Sequence, residues 1–472
     1  MKRLAIVVGV IIVGVAAGVW FAHTRRPARN RQTDLPNILL ITLDTTRADH
    51  LSCYGYTRAT SPHIDALAAE GMVYDRCIAT SSWTLPAHAS LLTGRFPTSH
   101  GAIYDPNGAV VLAGILPGEW ANYRVAALGD RIETLATVLK RHGYATGGVV
   151  GGPWLKKPFG LGQGFDDYDD DEITNVNGRL AEQINRRALP WITRMADRAF
   201  LLFINYFDPH DPYLPPEEFR YHFLDTSKLI GGVKATPEQL LALYDAEIHY
   251  TDHFLGELVD HLKDLGIYDD TWIIITADHG ELFGEHDLRG HGLTLYEEEV
   301  HIPLIMKYPK RWAKQGRRAD LIRLVDIMPI ILDRLEIPVP PDVQGTASGQ
   351  SRGWALAETY PLSVLSKRGH YRAFYRGNLK YVWNSRGGHM LFDLDADPRE
   401  QKNLYGLQLD RAAEMRTAMD ALIKALPRPT QTTVVTHVDP NLLKILRSLG
   451  YVTGPTSAPR PTTTSTFPAG RP

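Results

Sequence analysis

The sequence contains little cysteine and little net charge. Its 472 residues include two cysteines, Cys53 and Cys77, which excludes a disulfide scaffold and a four-cysteine zinc site. Two buried thiols or a single bridge remain open. The formal net charge is −2, and 44% of residues are hydrophobic and 22% charged, which excludes a polybasic nucleic-acid-binding protein and a disordered chain. For this length we expect one large domain and a smaller one.

Long apolar runs are also scarce, and the one candidate for a membrane span lies at the N-terminus, from Leu4 to Ala22. It is longer than a usual signal-peptide core of about 7–15 residues and suits a membrane-spanning helix of about 17–25. We therefore predict a membrane anchor or signal segment at residues 1–24 and a linker at 25–36. Partly on the resemblance given below, we expect the domain that follows to lie in the periplasm or outside the cell. The arginines that follow the run also allow the opposite orientation.

Short apolar segments alternate with helical patterns through the middle of the chain. Strands are predicted at 37–43, 146–150, 200–206 and 272–276, and helices at 62–70, 134–141 and 240–265. This alternation predicts an α/β protein with a mostly parallel sheet that is covered on both faces. Ligands of such sheets bind beyond the carboxyl ends of the strands.

The pattern changes near residue 345, which we predict to be the end of a catalytic domain that spans 37–345. Short strands follow at 371–375, 379–383 and 390–393, with a helix at 410–426. They predict a small antiparallel α+β subdomain at 346–428. A tail at 429–472 is predicted to be disordered from about residue 454, where Pro, Thr and Ser dominate.

Acidic and histidine residues follow several of the predicted strands. Asp44 follows the first strand and Asp278-His279 follows the strand at 272–276, while Asp208 and His210 follow the strand at 200–206. Two carboxylates and an imidazole suit a divalent cation such as Mn²⁺, Mg²⁺ or Zn²⁺. The alternative interpretation is that each aspartate only caps the next helix.

The segment from Ser82 to Arg95 is the most specific motif. Pro86 suits the first turn of a helix that extends to Thr93, which places Thr84 at or just before its N-terminus. A hydroxyl there lies beside free backbone N–H groups that could bind an oxyanion. The alternative is that Thr84 is an ordinary N-cap.

This segment, Thr84-x-Pro86-x-His88-x-Ser90-Leu-Leu-Thr-Gly-Arg95, resembles the sulfatase signature, which has Cys or Ser first and Arg at the fifth position. Other segments that are similar to that family occur in the family's order, at 37–44, 61–71, 143–146, 164–166, 208–213, 278–286 and 391–404. The resemblance therefore covers roughly residues 37 to 405.

The resemblance implies an alkaline phosphatase-like α/β/α sandwich and one divalent metal ion (Mn, Ca, Mg or Zn). It implies that the metal ligands are Asp44, Thr84, Asp278 and His279, and that Thr84 is also the nucleophile. The catalytic positions it implies are His88, where sulfatases keep an arginine, His291, where they keep a lysine that faces the transferred group, and His210, which contacts the substrate or protonates its leaving group.

Three departures from the family pattern bear on the chemistry. Sulfatases oxidise their Cys or Ser nucleophile to formylglycine, which is not expected for Thr84. Thr45 replaces the family's second aspartate, and Gly151–Leu155 lacks the two cations of the family's Gly-Lys-x-x-His segment. The resulting set is similar to that of lipoteichoic acid synthases, and phosphoethanolamine transferases also use threonine. Phosphonate monoester hydrolases share the Asp-His pair but keep the formylglycine position.

We therefore expect a metal-dependent hydrolase of sulfuric or phosphoric (di)esters that forms a covalent ester on Thr84. Its substrate would be a small-molecule, glycan or lipid sulfate or phosphate ester; the N-terminal helix would contact the membrane, and no nucleic acid would bind. One alternative is a phosphoethanolamine- or phosphoglycerol-type transferase, although such enzymes have several membrane spans. The other is a non-catalytic binding protein with the sulfatase fold, which would not need Asp44, Thr84, Asp278 and His279.

Overall fold

The structure is a computed structural model that describes residues 35–105, 110–111, 124–173, 178–224, 236–347, 353–360 and 368–429. The N-terminal anchor predicted at 1–24, nearly all of the linker and the tail beyond residue 429 lie outside the described residues. None of the described helices is both long enough and apolar enough to cross a bilayer.

The strands form a large sheet, a small antiparallel sheet and two short pairs. They are β1 (Asn37–Leu43), β2 (Met72–Ile78), β3 (Val110–Val111), β4 (Arg124–Val125), β5 (Ala145–Val150), β6 (Asp167–Asp169), β7 (Phe200–Tyr206), β8 (Thr271–Thr276), β9 (Leu282–Phe283), β10 (Arg289–Gly290), β11 (His301–Ile302), β12 (Leu304–Lys307), β13 (Gly316–Arg323), β14 (Trp354–Thr359), β15 (Tyr371–Arg376), β16 (Leu379–Asn384) and β17 (Met390–Asp393).

The described α-helices connect these strands. They are α1 (Pro62–Glu70), α2 (Thr84–Thr93), α3 (Pro97–His100), α4 (Leu135–Arg141), α5 (Ala181–Met195), α6 (Glu217–Arg220), α7 (Pro237–Asp264), α8 (Glu297–Val300), α9 (Ile327–Arg334) and α10 (Leu409–Ala425).

The large sheet is buried on both faces. Its nine strands have the order β11-β2-β12-β8-β1-β7-β5-β6, with β13 paired to β2. In the central strand β1, Ile38 and Leu40 pack into one apolar core, whereas Leu39 and Ile41 pack into a second one. Because neighbouring side chains of a strand point to opposite faces, the two cores lie on opposite sides of the sheet. The predicted α/β/α architecture is confirmed.

The parallel centre of the sheet follows the apolar pattern of the sequence. β1 pairs in parallel with both β7 and β8, and β5 pairs in parallel with β7. The strands β2, β11, β12 and β13 on one side of β8 were not predicted. Their pairings include antiparallel ones, and β13 begins with five exposed residues, so its sequence lacks a continuous apolar run.

The C-terminal strands β14, β15, β16 and β17 form a separate antiparallel sheet, as predicted, and α10 packs on it through Met415 and Met419. β14 is an additional strand that was not predicted. Cys53 and Cys77 are both free thiols, so the single bridge that the sequence left open is absent from the described residues.

A buried cation connects the small sheet to the catalytic region. Lys380 of β16 is fully buried, and its Nζ lies 2.9 Å from Glu297 in α8 and 2.9 Å from Glu400. We predict that Lys380→Met lowers the free energy of unfolding by about 3–5 kcal/mol, because it leaves the fully buried Glu400 and the partly buried Glu297 without their cation. Denaturant unfolding measures this change.

The matched control for this prediction is Lys310→Met. Lys310 also pairs with an acid, Asp269, but its side chain is 79% exposed. Exposed ion pairs contribute little, so this variant should unfold almost as the wild type does. Equal loss of stability in both variants would contradict the importance of the buried pair.

Candidate active site

Two carboxylates lie together at the carboxyl edge of the large sheet. Asp44 follows β1, Asp278 follows the neighbouring parallel strand β8, and both are fully buried. Ligand atoms of Asp44, Asp278 and His88 all lie within 4.8 Å of one another. Two strands that are distant in sequence and the helix α2, which carries His88, thus bring three polar side chains to one point in the core.

One oxygen of each carboxylate is held by the protein and the other is not. Asp44 Oδ2 accepts from Asn205 Nδ2 at 3.2 Å. Asp278 Oδ1 accepts from the backbone N–H groups of Thr45 and His279, at 3.2 and 2.9 Å. Asp44 Oδ1 and Asp278 Oδ2 are buried and have no hydrogen-bond donor among the described residues.

This arrangement fits a divalent cation. Burial, and then the negative charge of Asp278, raise the pKa of Asp44 well above its ordinary value. Two buried like charges with unpaired oxygens are costly unless a cation or a proton compensates them. Carboxylate and imidazole ligands suit Mn²⁺, Mg²⁺ or Zn²⁺, so the donor set leaves the identity of the metal open.

Thr84 is the first residue of helix α2, and it is buried. It is not the N-cap, because Trp83 holds that position and no side chain caps the helix. Its hydroxyl Oγ1 instead lies 3.3 Å from His279 Nε2. The interpretation of Thr84 as an ordinary cap is therefore wrong. The hydroxyl faces Asp44, Asp278 and His279, which we call the acid–imidazole cluster, and it lies beside the free N–H groups at the start of the helix.

His279 presents an unprotonated nitrogen to this cluster. Its Nδ1–H donates to the Gly280 carbonyl at 2.9 Å, which leaves the Nε2 lone pair near Thr84 Oγ1 and 3.3 Å from Asp278 Oδ2. Burial lowers the pKa of His279 to about 4, so the ring is neutral at pH 7. A neutral, oriented imidazole is the form that ligates metals.

His88 is within reach of both carboxylates but already has two hydrogen bonds. Its Nδ1 lies 2.9 Å from the Thr84 carbonyl, and its Nε2 lies 3.0 Å from Thr42 Oγ1. The ring is fully buried, and this burial lowers its pKa. Sulfatases keep an arginine at this position. Both nitrogens of His88 are already hydrogen-bonded, so neither offers a free N–H to the transferred group.

A second cluster joins His291, Glu281 and His210. His291 Nδ1 lies 3.1 Å from the fully buried Glu281 Oε1. Burial opposes the charge on His291, but Glu281 outweighs it and raises the pKa of His291. The His210 ring lies 4.9 Å from the His291 ring, and burial together with His291 lowers the pKa of His210 to about 3. Glu281 therefore favours the protonated form of His291, whereas His210 is neutral at pH 7.

The segment that lacks the family's cations is closed by a neighbouring aromatic ring. A Cβ on Gly152 would come within 2.9 Å of the Phe207 ring, and a Cβ on Gly151 within 2.9 Å of Phe207 Cβ. Phe207 also stacks on His210 at 4.4 Å. The space beside these two glycines is thus filled by Phe207, and a larger residue at either position would displace it.

Three residues of the site were not predicted to have roles. Thr45 adopts a left-handed φ of 52°, uncommon for a non-glycine residue, and so aims its N–H at Asp278. Glu281 pairs with His291, and Asn205 holds Asp44. The available signals were Glu281 within the Asp-His-Gly-Glu motif and Asn205 as a single amide in the apolar strand β7.

The family model for Sulfatase matches residues 36–337, which is more than half of the chain. The chain belongs to the sulfatase family. Membership, together with the acid–imidazole cluster, assigns this family member to the metal-dependent ester hydrolases, of the type that acts on sulfuric or phosphoric esters. The predicted family and the enzyme class are confirmed.

Individual relatives are distant. The Ulvan-active sulfatase of Formosa agariphila is 25% identical over 402 residues, which cover 79% of this chain and 77% of that protein. A structure in complex with its substrate D-glucosamine-2-N,6-O-disulfate superposes with a TM-score of 0.69 at 20% identity, covering 83% of this chain and 98% of the other. The phosphonate monoester hydrolase of Agrobacterium radiobacter gives 0.64 at 20% identity, covering 82% and 95%. These structures support the fold.

Removal of one carboxylate charge tests the metal site. We predict that Mn²⁺ stabilises the wild type and so raises its melting temperature. At a Mn²⁺ concentration a hundred times the Kd, the free energy of unfolding should rise by about 2.7 kcal/mol, and a chelator should reverse this. Asp44→Asn should lose the response. Without metal it should be at least as stable as the wild type, because the repulsion from Asp278 is relieved.

Asp245→Asn is the matched control for Asp44→Asn. Asp245 is also fully buried, but it accepts from His50 Nδ1 and Tyr56 OH, each at 2.7 Å. This variant should lose stability and keep the Mn²⁺ response. A wild-type response in Asp44→Asn, measured by thermal unfolding with and without Mn²⁺, would contradict the assignment of the site.

Proposed function

We propose that this protein hydrolyses phosphoric or sulfuric esters with Thr84 as nucleophile, through a covalent threonine ester. The observation that carries the proposal is the Thr84 hydroxyl at the N-terminus of α2, 3.3 Å from His279 Nε2, beside a carboxylate pair with unpaired oxygens. A divalent cation held by Asp44, Asp278 and His279 would supply Lewis-acid stabilisation and lower the pKa of a nearby hydroxyl.

In the first step, the Thr84 hydroxyl passes its proton to a water molecule of the site, and Oγ1 attacks the phosphorus or sulfur of the substrate. The new Oγ1 bond forms as the bond to the leaving oxygen breaks. The N–H groups at the start of α2 face the equatorial oxygens of the transferred group and offset their charge. His291, paired with Glu281 at 3.1 Å, would add a positive charge when protonated, and its ring lies 4.6 Å from the His279 ring.

The leaving oxygen needs a proton, and the charge states favour His291 as its donor. From the family resemblance, His210 was expected to protonate the leaving group. Its pKa of about 3 makes it neutral at pH 7, and its Nδ1–H is committed to the Asp211 carbonyl at 2.6 Å. We therefore assign the proton to His291, with His210 as its neutral neighbour.

In the second step, water attacks the threonine ester at phosphorus or sulfur and gives a proton back to His291, while the bond to Thr84 Oγ1 breaks and Oγ1 takes up a proton from water to restore the hydroxyl. Threonine favours phosphorus here, because a phosphothreonine ester can be attacked again, whereas a sulfothreonine ester lacks the hemiacetal exit of formylglycine. We therefore expect phosphodiesters and phosphonate monoesters to be cleaved faster than sulfate esters. The family membership and a relative named for sulfated ulvan support keeping sulfate esters in the test panel.

Substitution of Thr84 tests the nucleophile. We predict that Thr84→Val, which conserves side-chain volume, lowers kcat on the best ester of the panel by at least roughly a thousandfold. Thr84→Ser keeps a hydroxyl and should retain measurable turnover. The control is Thr93→Val at the other end of α2, which should remain active. Thr93 Oγ1 donates to the Ala89 carbonyl at 2.6 Å and accepts from the Arg95 N–H at 3.3 Å, and neither partner belongs to the metal site.

Mass spectrometry of acid-quenched protein identifies the transferred group. After a substrate soak, the wild-type peptide that contains Thr84 should gain one phosphoryl or sulfuryl group, and the Thr84→Val peptide should not. Near-wild-type turnover by Thr84→Val would move the nucleophile elsewhere. Release of the group to an added alcohol in preference to water would instead identify a transferase.

A further inference from the structure

Asn205 lies at the centre of a fully satisfied hydrogen-bond network next to the candidate metal site. Its Nδ2 donates to Asp44 Oδ2 and to Thr42 Oγ1, each at 3.2 Å. Its Oδ1 accepts from the N–H groups of Gly151 and Gly152, at 3.2 and 3.0 Å. Every donor and acceptor position of the amide is therefore used.

The position of Asn205 in the sheet explains how one side chain reaches these partners. It lies near the carboxyl end of β7 and is paired in register with Thr42 of β1 on one side and with Val150 of β5 on the other. Asp44 follows Thr42 by two residues and thus leaves the sheet on the same face. The amide spans the gap between Asp44 and the turn that follows β5.

An amide is an unexpected choice at this point of the strand if only packing matters. Asn205 is fully buried, and its neighbours in β7 are apolar from Phe200 to Ile204. A buried amide is costly unless its hydrogen bonds are made, and an apolar residue would pack here without that requirement. Few side chains can donate two hydrogen bonds and accept two, which suggests selection for this network.

We propose that Asn205 is a positioning residue for the metal site. By holding Asp44 Oδ2, it leaves the other oxygen, Oδ1, which has no donor among the described residues, available to a cation. The Oδ1 atom of Asn205 also connects Asp44 to the Gly151–Gly152 turn, where the sulfatase family keeps a lysine. The proposal rests on the proposed metal-dependent function, because it gives Asn205 its role through Asp44.

A purely structural role for Asn205 makes a different prediction. In that case its loss would lower stability and leave metal affinity unchanged. The chain offers a matched residue in Asn185 of α5, which is 2% exposed. Its amide donates to the Phe254 carbonyl at 2.7 Å and accepts from Tyr206 OH at 2.6 Å, and neither partner is a carboxylate of the metal site.

The experiment is a calorimetric titration of the full-length protein with Mn²⁺. We expect Asn205→Ala to weaken Mn²⁺ binding by about 10- to 100-fold, the usual effect of removing an outer hydrogen-bond partner of a metal ligand. Asn185→Ala should bind Mn²⁺ within about twofold of the wild type. If Asn205→Ala does not fold, Asn205→Ser, which keeps a small polar side chain but cannot span the gap, should show the same weakening.

The outcomes separate this proposal from the proposed function. Wild-type Mn²⁺ affinity in the folded Asn205 variant, or equal weakening in Asn185→Ala, would overturn the positioning role while the metal site stands. If Asp44→Ala binds Mn²⁺ as tightly as the wild type does, the metal site is wrong, and the role of Asn205 is overturned with it.

Discussion

The repulsion between Asp44 and Asp278 is the constraint on which the rest of the site depends. Their ligand atoms lie within 4.8 Å of each other in a fully buried environment. Two unit charges at about that separation repel by roughly 3 kcal/mol at an effective dielectric constant of about 20. The protein satisfies only one oxygen of each, so the fold retains a negative site that a cation can stabilise. Thr45, His279 and Asn205 all donate hydrogen bonds to these two carboxylates.

The parallel sheet makes this arrangement possible. β1 and β8 are adjacent, and their apolar residues are buried on both faces, so the sheet stays stable while its carboxyl edge carries polar residues. At that edge the strained backbone of Thr45 and the amide of Asn205 hold the carboxylates from two sides. Stability thus comes from the strands, and chemistry from the residues that follow them.

The sequence was sufficient where a residue's environment follows from a local pattern. The apolar runs of β1, β7 and β8 predicted the sheet, and the position of Asp44 after its strand predicted its place at the edge. The role of Asn205 could not be predicted, because it depends on partners 161 and 163 residues away. The charges of His210 and His291 also depend on folding, since Glu281 and burial set them. The four-residue strand β12 was too short to show a periodic pattern, and β13 lacked one because its first five residues are exposed.

The most direct test of the central claim is an anomalous diffraction map from a crystal of the wild-type protein soaked in Mn²⁺. We expect a manganese peak that contacts Asp44 Oδ1, Asp278 Oδ2 and His279 Nε2, with Thr84 Oγ1 at coordination distance, about 2.0–2.3 Å. The absence of a manganese peak between the two carboxylates after the soak would contradict the account. A peak there with Thr84 Oγ1 turned away from the ion would also contradict it.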